Sequence, residues 1–95
     1  MGTTATSAIT VDNVPTMIYP NPSNGLLTIS TELKDASKVS ISIYNMVGEL
    51  VLFNEFQSIN GQFLKNLDIK KLPLGTYMLK IKKGNITENQ KFIKN

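Results

Sequence analysis

Apolar and polar residues alternate along most of this chain with a period of two, the pattern of strands whose one face is buried. The clearest run is residues 38–45, where Val39, Ile41 and Ile43 fall on one side and Ser40, Ser42 and Tyr44 on the other. Residues 17–19 predict a short first strand, and residues 26–31 a second, with Leu27 and Ile29 opposed to Thr28 and Ser30. A hairpin at Met46-Val47-Gly48 returns the chain as a strand over residues 49–56. Residues 62–69 space Phe63, Leu67 and Ile69 on one face, and residues 76–82 set Tyr77, Leu79 and Ile81 against Met78, Lys80 and Lys82. After a turn at Lys83-Gly84-Asn85, residues 86–94 form the last strand. No stretch has a helical period.

Turn residues punctuate these runs. Pro20-Asn21-Pro22-Ser23-Asn24-Gly25 must turn, because two prolines remove backbone donors and Asn-Gly tolerates positive φ. Asn60-Gly61 and Leu72-Pro73-Leu74-Gly75 mark two further breaks. About seven short strands with turns every 8–12 residues predict an all-β, immunoglobulin-like antiparallel β-sandwich over residues 15–95, with a small barrel as the alternative. Residues 1–14 lack a sustained period and read as a linker or a remnant of expression.

Composition narrows the chemistry. Cysteine and histidine are absent from the 95 residues, which excludes disulfides and a zinc site of the usual kind. The seven acidic residues are scattered, Asp12, Glu32 and Asp35 being the nearest to a group, so neither a catalytic constellation nor a metal or cofactor site is expected. Asn85-Ile86-Thr87 is assigned to turn chemistry. No apolar run is long enough to span a membrane. Nor does a charged and then apolar leader open the chain.

Charge is uneven. Residues 1–64 hold Lys34 and Lys38 against five acids, a net −3, whereas residues 65–95 hold eight lysines against Asp68 and Glu88, a net +6. The basic end suits an anionic partner, although lysines also coat solvent faces and strand edges. Arginine is absent, which argues against nucleic acid. Tryptophan is absent as well, and Tyr44 is the only aromatic that strand parity places opposite the core, a thin platform for a sugar.

Four blocks occur in order: Pro20, Asn21, Pro22, Asn24 and Gly25 in the first turn; residues 39–51 with Gly48 in the hairpin; Leu72, Pro73, Gly75 and Tyr77; and Lys91, Phe92, Ile93 and Lys94, one residue before the chain stops. Together they resemble the C-terminal sorting domain of the type IX secretion system, type A. The resemblance covers about residues 17–95. It implies a secretion signal of Bacteroidota, not an enzyme, that directs an N-terminal cargo across the outer membrane to the surface or medium. Family members carry a leader at their own N-terminus, so the resemblance also implies that this chain is the C-terminal piece of a larger precursor whose cargo domain is missing. Its implied partners are the translocon, a shuttle protein and a cell-surface sortase that removes the domain. Recognition is expected through the last strand, whose edge offers backbone groups for strand addition, with Lys91 and Lys94 adding electrostatic register; the same edge allows weak self-association. The second hypothesis is an adhesive or glycan-binding immunoglobulin-like accessory module of a secreted protein.

Overall fold

The structure, a computed structural model, describes residues 16–33, 38–57 and 61–95. The linker assigned to residues 1–14 and the Asn60 half of the Asn60-Gly61 turn lie outside them. Among the described residues, seven strands run β1 (Met17–Tyr19), β2 (Leu26–Leu33), β3 (Lys38–Tyr44), β4 (Leu50–Gln57), β5 (Gly61–Asp68), β6 (Gly75–Lys83) and β7 (Ile86–Lys94). They form two antiparallel sheets, one ordered β1-β2-β5 and the other β4-β3-β6-β7. The chain is an all-β sandwich, as the alternation predicts.

The core is the sum of the inward parities. Leu27, Ile29 and Leu33 of β2 and Phe63 and Leu67 of β5 face Val39, Ile41 and Ile43 of β3, Tyr77, Leu79 and Ile81 of β6, and Phe92 of β7. Each such side chain contributes about 1.5–3 kcal/mol by leaving water. Most strand bounds differ from the sequence reading by a residue or two. The largest difference is at β2, which runs two residues further, to Leu33, and β6 takes in Lys83, which the sequence reading places in a turn.

Lysines coat the solvent-facing positions as expected at Lys38, Lys65, Lys70, Lys71, Lys80, Lys82 and Lys91, but Lys83 and Lys94 depart from this expectation. Lys83 is buried at 6% exposure and Lys94 at 7%. Lys83 lies one position beyond Ile81 on the inward parity, and its ammonium donates to Thr31 Oγ1 at 2.8 Å and pairs with Glu88 Oε2 at 2.9 Å. A buried ammonium persists only when paired in this way. Parity also misled at the aromatics. Tyr44 is not alone opposite the core: Phe53 of β4 and Tyr19 of β1 point outward too, Phe53 at 51% exposure.

Candidate functional site

The four blocks of the sequence meet at one end of the sandwich. Antiparallel register sets Gly75 beside Lys94 and Leu50 beside Tyr44, so the starts of β6 and β4 lie with the ends of β7 and β3. In the other sheet Leu26 pairs with Asp68, and the Ile69 amide donates to the Gly25 carbonyl at 2.8 Å. The Pro20–Gly25 turn, the Gly48 hairpin, the Leu72–Gly75 corner and Lys91–Asn95 therefore share one end. Thr16, where the described chain begins, contacts Glu88 and Gln90 instead, toward the opposite end.

The first and last blocks are bonded to each other. The Ser23 amide donates to the Ile93 carbonyl at 2.8 Å, and the Asn95 amide donates to the Ser23 carbonyl at 2.9 Å. Asn21 Oδ1 accepts from the Ile93 amide at 2.9 Å while Asn21 Nδ2 donates to the Lys91 carbonyl at 3.4 Å. The fully buried Ser23 hydroxyl donates to the Leu26 carbonyl and tightens the turn. The peptide bonds Tyr19–Pro20 and Asn21–Pro22 are both cis. Ile93 thus turns both its backbone groups away from β6 and gives them to the turn.

This strap corrects the expectation of an open edge on the last strand. β7 is an edge of its sheet, but its terminal half carries residues 21–23 of its own chain. Farther along β7, the Thr16 amide donates to Glu88 Oε1 at 2.8 Å and the Gln90 side-chain amide donates to the Thr16 carbonyl. Burial alone would raise the Glu88 carboxyl; hydrogen bonds from Lys83 and the Thr16 amide outweigh it and hold the group below its ordinary 4.5.

The remaining motif residues divide by role. Tyr77 stacks on Phe92 with ring centroids 5.5 Å apart, and its hydroxyl donates to the Pro73 carbonyl, a tyrosine corner that locks the bend before β6. Leu72 is half-buried against the core. Gly48 adopts φ +90°, which the tight β3–β4 hairpin requires. Gly25 has no positive φ; a Cβ there would stand 3.0 Å from Lys70 Cγ, so the exposed Lys70 side chain would have to shift to admit one. Pro20, Pro22, Asn24, Lys91 and Ile93 are exposed, and Lys94 is withdrawn from the surface, so of the two terminal lysines only Lys91 presents its charge. The sequence reading missed Ser23, Thr16, Thr31, Lys83, Glu88 and Gln90. Only Ser23 carried a signal, as the small polar residue inside the Pro-Asn-Pro turn.

Among the described residues the chain is a small seven-stranded sandwich whose final strand is strapped by its opening turn, with the sequence motifs gathered at that end. Residues 17–95 match the model of the secretion system C-terminal sorting domain, and the chain belongs to this family. It is accordingly a type IX C-terminal secretion signal, a targeting domain that implies export to the cell surface or release as part of a larger precursor. No protein of curated function matches the chain.

Proposed function

We propose that the strapped end is the surface the secretion machinery reads. The observation that carries this is the set of four hydrogen bonds joining residues 21–23 to Lys91, Ile93 and Asn95, because they fuse two blocks about 70 positions apart into one epitope. The Pro-Asn-Pro turn, the Lys91 ammonium and the Ile93 side chain then stand together as a rigid composite. A shuttle protein and the type IX translocon dock on that composite, with Lys91 steering toward an acidic surface. The position of Thr16 supports cargo leaving the sandwich away from this end. A cell-surface sortase is therefore free to cut the linker before Thr16 while the opposite end stays bound.

The test uses exposed positions, so that folding is not at stake. A secreted reporter carrying this domain with Asn24→Ala and Lys91→Gln is compared with the native sequence in a bacterium with an intact type IX system. Export is expected to fall several-fold while the melting temperature of the isolated domain stays unchanged. Native export by the double variant would remove this end from recognition.

A further inference from the structure

The two sheets carry opposite charge on their outer faces. Register and parity put Lys38, Lys80, Lys82 and Lys91 on the outside of the four-stranded sheet, with Glu55 the one acid there among the described residues. The outside of the three-stranded sheet carries Glu32 and Asp68 and, among the described residues, no lysine. Lysines serving only solubility have no reason to prefer one face, since both need protection from aggregation alike.

The basic face also has relief and aromatic surface. Glu55, Ser40 and Lys82 lie in one row across the sheet, and Phe53, Ser42 and Lys80 in the next. A shallow depression of about 330 Å³ is lined by Lys38, Ser40, Glu55, Lys82 and Gly84. The half-exposed Phe53 ring stands in the next row, and Tyr44, whose ring centroid is 5.9 Å from Lys80 Nζ, in the row after it.

We infer that this face binds an acidic polysaccharide. Lys80 and Lys82 are two residues apart on one strand, about 7 Å along it, which suits a line of carboxylates or sulfates better than a single headgroup. The Ser40 hydroxyl and the Asn89 amide offer neutral partners for sugar hydroxyls, and Phe53 offers a ring for a sugar to cover. Peptide addition is not available at the centre of this face, because β3 and β6 are interior strands whose backbone groups are already paired on both sides. The face shares Lys91 with the strapped end, but the groups the inference rests on, Lys80, Lys82, Ser40 and Phe53, take no part in the strap, so it stands whether or not that end is read for export.

The 95-residue chain is titrated at physiological salt with polygalacturonate, with neutral dextran and polyglutamate alongside. Polygalacturonate is expected to bind and dextran not to bind. Lys80→Gln with Lys82→Gln weakens polygalacturonate about tenfold, whereas Lys70→Gln with Lys71→Gln, the same charge loss in the turn after β5, leaves it within about twofold. Phe53→Thr weakens polygalacturonate and leaves polyglutamate unaffected; Phe53→Leu replaces it if melting shows that Phe53→Thr unfolds. Three results overturn the inference: no binding, equal loss from the two lysine pairs, or polyglutamate bound as tightly with Phe53 immaterial, which would mark an acidic protein partner instead.

Discussion

Asn21 uses both ends of its side-chain amide on β7, accepting from the Ile93 amide and donating to the Lys91 carbonyl. Alanine at this position releases both groups to water and costs about 1 kcal/mol, the usual worth of such bonds. The sharper readout is amide exchange: Ile93 should exchange faster in Asn21→Ala, while Ile41, in the interior strand β3, keeps its protection. Unchanged exchange at Ile93 would mean that the strap is not held through Asn21. Glu88 gives a second residue-scale expectation. Its folded pKa is lowered from 4.5, so the stability it contributes is present above that value and is lost as pH falls through the folded pKa. Acid titration of stability should therefore be steeper for the native chain below pH 4.5 than for Glu88→Gln. Parallel curves would show that Glu88 is equally at ease in the unfolded chain.

At the scale of elements, β7 is core, edge and motif at once. Phe92 is fully buried and stacked on Tyr77, so Phe92→Ala should cost about 3–5 kcal/mol in denaturant unfolding. Deleting Phe92–Asn95 is therefore expected to destroy the fold together with the proposed recognition end. Loss of export after that deletion does not separate recognition from stability, which is why exposed Asn24 and Lys91 are the better probes. The strap also bears on self-association. Two copies can pair along the terminal half of β7 only after residues 21–23 leave it, so Asn21→Ala should raise association in light scattering at high protein concentration. Native and variant chains that associate equally would place the contact on another edge, such as β4.

The strand pattern was legible in the sequence because each strand has one buried face. Val39, Ile41 and Ile43 needed nothing beyond period two. Period two does not reveal which strands become neighbours, and the missed features depend on that. Lys83 reads as a turn lysine until β2 and β7 bring Thr31 and Glu88 to it. Phe53 reads as core because β4 is rich in apolar residues on both parities. The strap joins positions about 70 apart through backbone groups and one asparagine, and backbone groups leave no trace in composition. Of the candidate site, the blocks were visible, but their convergence on one end was not.

For the whole molecule, the sandwich sets the motif blocks and Thr16 toward different ends. Its motif end carries the strap and the exposed Lys91, and Thr16 leads away toward the opposite end. If the strapped end is what the machinery reads, as proposed, folding is a condition of signalling: the first and last blocks are joined through bonds that the folded sandwich makes. The most direct measurement joins residues 15–95 to a fluorescent protein bearing a standard signal peptide, in a bacterium with an intact type IX system. Fluorescence at the surface or in the medium, absent in a translocon mutant, is the predicted result. A folded, intact fusion that stays in the periplasm would contradict it.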